Sequence, residues 1–196
     1  VGAALLRRHG AGTWIGLGGA VGGALAAALA GARALAAAPA VWSTPWGLPL
    51  GAFRLRVDPL AGGFLLPVGV VGGLAAVYGV AYLAAHGADQ ATAGDAEPGA
   101  RAEHGGSGWL AAYDLLLASM TVVITSDDIL LLLIAWELMT LANAALVVTE
   151  HEKPETRRAA FLYLAMSHVA TGCLLAGFLI LAEAAGGSLS FAHVLA

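Results

Sequence analysis

Ile129-Leu-Leu-Leu-Leu-Ile-Ala-Trp-Glu-Leu-Met-Thr-Leu-Ala-Asn-Ala-Ala-Leu-Val-Val148 is the stretch whose reading decides the fold. It is an apolar run of about 20 residues, the length a helix needs to cross the ~30 Å hydrocarbon layer of a bilayer. One acidic residue interrupts it. At 1.5 Å per residue, Glu137 stands roughly 12 Å from the start of the run, close to the middle of such a layer. Insertion scales charge on the order of 2.5 to 3.5 kcal/mol for a charged residue at a helix centre, so ionisable groups there face a bundle interior and mark ion or proton pathways. Glu137 is therefore the first candidate functional residue.

Working outward, four more segments have the length and apolarity to span, at about 11–32, 60–84, 109–126 and 159–184, which with 129–148 makes five. Hydrophobic residues are 59% of the chain and charged residues 11%. Soluble domains carry ~25% charged residues. The mean hydropathy is +0.81. The expected fold class is all-α, a polytopic transmembrane helix bundle. The net charge of -4 is spread over loops, and no basic stripe or aromatic platform points to nucleic acid. The single cysteine, Cys173, can form neither an internal disulfide nor a cysteine-based metal cluster.

The first span is rich in glycine and alanine. Gly12, Gly16, Gly18, Gly19, Gly22 and Gly23 give small-xxx-small spacings that permit close helix approach. A GxGxxG motif opening at Gly16 would need glycine where Val21 stands, and no Walker sequence occurs, so no nucleotide cofactor is expected. Arg7-Arg8 ahead of an apolar run resembles a secretory signal, but the run from Ala11 to Ala32 exceeds the ~7–15 residues of a signal core. Val1 and the stretch Gly187 to Ala196 read as cut ends, making the chain an expected N-terminal fragment.

Between spans, Phe53-Arg-Leu-Arg-Val57 alternates and predicts a short extended segment or hairpin within Trp42 to Asp58. Asp58-Pro59 has the chemistry of a helix start, aspartate capping and proline at the first helical position. Residues 86–108 are polar and acidic and read as a flexible loop. Ser126-Asp-Asp128 must turn the chain in very few residues, with both acids as turn and cap groups. Glu150 to Glu155 lacks HExxH and contains Pro154, so it reads as a solvated loop, and no metal site is expected. Arg7, Arg8, Arg101, Lys153, Arg157 and Arg158 fall on one side of the alternating spans and Arg33, Arg54 and Arg56 on the other. The positive-inside rule makes the first side cytoplasmic.

At about 100° per residue, Leu133, Ile134, Glu137, Thr140, Leu141 and Ala144 share a helix face, which places the Thr140 hydroxyl one turn from Glu137. The last span puts Ser167, His168 and Thr171 near its middle. A carboxylate and an imidazole at that depth form a candidate relay, because desolvation favours a neutral carboxyl and a nearby imidazolium favours its ionised form. Asp114 is a further candidate proton-transfer residue, against which stands a structural reading: near the cytoplasmic start of its span it can reach headgroups.

Leu115-Leu-Leu-Ala-Ser-Met-Thr-Val-Val-Ile-Thr-Ser-Asp-Asp-Ile-Leu-Leu-Leu-Leu-Ile-Ala-Trp-Glu-Leu-Met139 resembles the fourth and fifth helices of the antiporter-like membrane subunits of complex I and its relatives. Leu55-Arg-Val-Asp-Pro-Leu60 is similar to the start of that family's third helix, and Thr156 to Val169 to its sixth. Trp136-Glu-Leu-Met139, Thr149-Glu-His-Glu152 and Ser167-His168 look most like the hydrogenase-4 or formate hydrogenlyase membrane subunit. The resemblance implies a proton-translocating subunit of a respiratory hydrogenase or NADH:quinone oxidoreductase-like complex in the prokaryotic cell membrane. Its partners would be other membrane subunits and a peripheral redox arm, the redox chemistry lying in those other subunits and no cofactor in this chain. Glu137 would belong to an ionisable pair with a lysine on a later helix, and the only lysine here is Lys153. The resemblance leaves two alternatives open, a subunit of a multisubunit sodium/proton antiporter and a structural membrane anchor.

Overall fold

The computed structural model describes residues 11–46, 51–92, 100–148 and 154–194. In chain order these form α1 (Ala11–Ala36), β1 (Ala40–Thr44), β2 (Phe53–Val57), α2 (Pro59–Thr92), α3 (Ala100–Thr125), α4 (Ile129–Val147), α5 (Pro154–Ala184) and α6 (Phe191–Val194). Five stretches among the described residues are long and apolar enough to cross a membrane: Gly12–Ala36, Pro59–Tyr82, Gly108–Thr125, Ile129–Val147 and Pro154–Ala184. The fold is thus a helical, polytopic membrane bundle with a small hairpin at one end.

Backbone chemistry explains why only helices cross. In hydrocarbon each N–H and C=O must find its partner within its own segment, which a helix does. Pro67 inside α2 removes one donor, a loss tolerated where packed neighbours and local adjustment satisfy the freed carbonyl. α1 lies along α2, α3 packs against α1, α2 and α4, and α5 packs mainly on α4. Glycine permits the α1–α2 approach: a Cβ on Gly62 would stand 2.8 Å from the Gly31 carbonyl oxygen and 2.9 Å from the Ala34 Cβ. With no side chain in the way the two backbones meet directly. Leu65 and Leu110 are the largest fully buried side chains.

The polar segment 86–108 differs from the loop expected there. α2 stays helical to Thr92 and α3 is already helical from Ala100, while 93–99 lie outside the described residues. At 1.5 Å per residue, the 34 residues of α2 extend for about 50 Å, well beyond a ~30 Å hydrocarbon layer. The alanines and glutamine of 84–92 have high helix propensity, and the stretch contains no proline. Arg7, Arg8 and residues 149–153, which carry part of the charge asymmetry and most of the expected Glu150–Glu155 loop, also lie outside the described residues. Pro154, the loop's fifth residue, opens α5, as the donor-free first helical position allows.

β1 and β2 pair antiparallel, with Ala40 opposite Val57, Trp42 opposite Leu55 and Thr44 opposite Phe53. Trp42 and Trp46 both pack edge-on to Phe53. Asp58 then caps α2, its Oδ1 accepting from the Ala61 amide at 2.8 Å.

The turn between α3 and α4 is threaded into this end of the bundle. The Asp127 amide donates to the Arg54 carbonyl at 3.0 Å, the Ile129 amide to the Leu189 carbonyl at 2.9 Å, and the Phe191 amide to the Asp127 carbonyl at 3.3 Å. β2, the Ser126–Ile129 turn and the segment entering α6 are therefore joined by main-chain bonds. Below them, Ile129 and Leu133 of α4 and Ala182 of α5 form a buried cluster flanked by Leu132, Phe178, Leu189 and Phe191. The start of α4 is fixed against the end of α5.

Candidate functional site

α4 carries Glu137 two turns beyond this clasp, and α5 brings His168 to it. His168 Nε2 lies 3.6 Å from Glu137 Oε2. The facing of these two side chains follows from rotation about the helix axes, which the clasp and the Ile129–Leu133–Ala182 cluster set. The other carboxylate oxygen, Oε1, is buried and has no hydrogen-bond partner among the described residues. Glu137 is 31% exposed and His168 57%. Among the described residues of α5, only Ala160 and Ala182 are buried.

The histidine tautomer follows from its second contact. His168 Nδ1 sits 2.8 Å from the Leu164 carbonyl oxygen. A carbonyl only accepts, so Nδ1 carries the hydrogen in this bond. In the neutral ring Nε2 is then the lone-pair nitrogen, and it is the one directed at Glu137. At 3.6 Å the two atoms are within ion-pair range but just beyond hydrogen-bond distance.

Thr140 is buried, but its hydroxyl donates to the Glu137 main-chain carbonyl at 2.9 Å rather than to the carboxylate. Thr171 likewise returns its hydroxyl to the Ser167 carbonyl at 3.0 Å. Both hydroxyl protons are spent on their own helices, and both oxygens keep acceptor capacity.

Asp114 lies near the start of the apolar span Gly108–Thr125. It faces the glycine-rich side of α1, where a Cβ on Gly19 would lie 3.0 Å from its Oδ2, and it lines a cavity of about 440 Å³ between α1, α2 and α3. The absent side chain at Gly19 lets the carboxylate turn inward. Asp114 and the Glu137–His168 pair are separate sites, since neither Glu137 nor His168 lines that cavity.

Sequence reasoning gave Asp127 and Asp128 turn and cap roles, and the structure adds tertiary ones. Asp128 Oδ1 accepts from the Leu130 and Leu131 amides at 2.9 and 3.3 Å, capping α4, while Oδ2 accepts from the Ala52 amide at 3.1 Å. Asp127 is paired with Arg56 at 3.2 Å, and Arg54 donates to Ser190 Oγ at 2.7 Å. The signal was present in Phe53-Arg-Leu-Arg-Val57: a strand places residues two apart on one face, so both guanidinium groups reach the same way. Their targets, far along the chain, carry no such mark.

Residues 126–196 match the family described as NADH:quinone oxidoreductase/Mrp antiporter, TM. That range holds all of α4 and α5, hence both Glu137 and His168. The uncharacterized protein Rv0083 of Mycobacterium tuberculosis (strain ATCC 25618 / H37Rv) is 32% identical over 143 residues, 73% of this chain and 20% of that protein. NADH-quinone oxidoreductase subunit L of the same strain is 31% identical over 144 residues, 74% of this chain and 20% of the subunit. The chain spans about a fifth of the length of the curated relatives it matches. These likenesses support a relationship to the complex I and Mrp antiporter-like superfamily.

Proposed function

We propose that this chain is part of a proton-translocating membrane subunit of a complex I-like assembly in the prokaryotic cell membrane, of the hydrogenase-4 or formate hydrogenlyase type. Other membrane subunits and a peripheral redox arm would supply the coupled electron transfer. The observation that carries the reading is the 3.6 Å approach of His168 Nε2 to Glu137 Oε2 at mid-span. The match to a proton-conducting family over the two helices that hold the pair supports it.

In this reading Glu137 is the proton-carrying group and His168 its immediate partner. With Nδ1 held by the Leu164 carbonyl, Nε2 receives the proton of the Glu137 carboxylic acid when the two atoms close to ordinary hydrogen-bond distance, ~2.8 Å. Thr140 positions the helix turn that presents Glu137 and offers its oxygen as an acceptor. Transfer toward His168 leaves a carboxylate and an imidazolium side by side, whose mutual attraction offsets part of the cost of holding charge in a low-dielectric layer. A cation approaching or leaving the exposed edge of the imidazole would bias that exchange.

The test is Glu137→Gln in the assembled complex, with redox-driven proton uptake measured in inverted membrane vesicles. Proton movement should fall while assembly persists. An unchanged proton-to-electron stoichiometry overturns the reading and favours a structural anchor. The family description also names Mrp antiporters, which favours a second reading, a sodium/proton antiporter subunit. Sodium-dependent proton exchange without redox drive distinguishes it.

A further inference from the structure

We propose that the cavity between α1, α2 and α3 is a second proton-binding site of the membrane domain, with Asp114 as the group that binds the proton and water as the filling that delivers it. The proposal rests on the chain spanning a membrane and is independent of how Glu137 acts.

The walls come from the Gly19 face of α1, Val68 and Gly69 of α2, and Asp114 and Thr121 of α3. Among the described residues Asp114 is the only ionisable side chain in that lining. Its Oδ1 is buried without a hydrogen-bond partner among the described residues. A carboxylate so placed inside an apolar layer must be neutralised, by a proton or by a cation. α1 and α2 contribute no titratable or charged group to the lining. On α3 the adjacent Tyr113 directs its hydroxyl to the Gly72 carbonyl at 2.7 Å, and α4's Glu137 does not reach the cavity. Among the described residues no side-chain cation lines the cavity beside Asp114, which points to a proton as the neutralising group.

The Asp114 end of this mostly apolar space has room for water. A cavity of about 440 Å³ far exceeds the ~10–15 Å³ of accessible volume that one water requires. The Asp114 carboxyl and the Thr121 oxygen are its polar partners. Thr121 already donates to the Leu117 carbonyl at 2.8 Å, so its oxygen is free to accept from water.

A bilayer-soluble carbodiimide tests this directly. Dicyclohexylcarbodiimide adds the O–H of a protonated carboxylic acid across one C=N bond, and the O-acylisourea rearranges to an N-acylurea of equal mass with no leaving group. In membranes carrying the native protein, mass spectrometry should find the adduct on Asp114 and none at that position in Asp114→Asn. Its rate should fall about tenfold per pH unit above the midpoint, with no protection by sodium at fixed pH. Gly19→Ala, whose new Cβ stands 3.0 Å from Oδ2, should change the rate severalfold, whereas Gly18→Ala, which meets nothing within 4 Å, should not. Sodium protection would mean that a metal cation holds the site and overturns the proposal. So would an unmodified Asp114 in membranes where Glu137 reacts. The readout needs no transport, so a null result for Glu137→Gln in the vesicle test leaves it standing.

Discussion

His168 Nε2 faces Glu137 Oε2 at 3.6 Å while His168 Nδ1 donates to the Leu164 carbonyl at 2.8 Å, so the ring is held from its own helix and aimed at the next. An imidazole one helical turn above a carbonyl acceptor needs no other residue to fix its tautomer. The pair is therefore asymmetric, with one nitrogen anchored on its own helix and one facing the carboxylate.

Glu137 and His168 should act as a unit. Glu137→Gln and His168→Phe are each expected to lower proton translocation by about two orders of magnitude, the lower end of what a positioned acid–base group contributes. The double variant should be little worse than either single one, because removing one partner already ends the exchange. Initial rates of proton uptake in vesicles, normalised to assembled complex, check this. Additive losses would show that the two residues work on separate steps.

Asp128 holds three amides with one carboxylate, two at the start of α4 and one at Ala52 before β2. Asp128→Ala should cost about 1–2 kcal/mol, the upper range for losing an N-cap, and lower the Tm in detergent. Asp128→Asn keeps one acceptor oxygen and should lose less. Equal Tm values for the two variants would mean that the cap contributes nothing beyond its charge.

The helical spans were legible because apolar runs of membrane length have one cheap solution in lipid, and Ile129 to Val148 states that solution without ambiguity. Glu137 was legible for the same reason, as a charge where charge is costly. Its partner was legible by depth alone. Nothing in the sequence fixes rotation of α5 about its axis, which depends on packing at Ile129, Leu133 and Ala182. The α1-facing direction of Asp114 was not legible, because position along a span does not say which way a side chain points. The pocket that receives it is defined by a missing Cβ at Gly19, almost a hundred positions away. The polar segment 86–108 was misread at its ends because polarity marks departure from the membrane and not the end of a helix.

Arg56 and Asp127 are in contact at 3.2 Å, and the Asp127 side chain is only 4% exposed against 37% for Arg56. Arg56→Ala strands a buried carboxylate, which should destabilise by roughly 1–3 kcal/mol. Arg56→Ala combined with Asp127→Ala should cost less than the sum of the singles, since the stranded charge is gone. A thermal double-mutant cycle reads the coupling. A coupling near zero would show that water satisfies Asp127 as well as the guanidinium does.

Gly62 and Gly63 are neighbours with opposite surroundings. A Cβ on Gly62 would meet the Gly31 carbonyl oxygen at 2.8 Å, while one on Gly63 meets nothing within 4 Å. Gly62→Ala must push α2 from α1 along their whole contact, because the obstacle is backbone and has no rotamer to yield. An overpacking cost of about 1–3 kcal/mol follows, and Gly63→Ala should be neutral or slightly stabilising through helix propensity. Tm values in one detergent separate the two. Because α1 and α2 also wall the Asp114 cavity, the same displacement should change carbodiimide labelling of Asp114 in Gly62→Ala and leave it unaltered in Gly63→Ala.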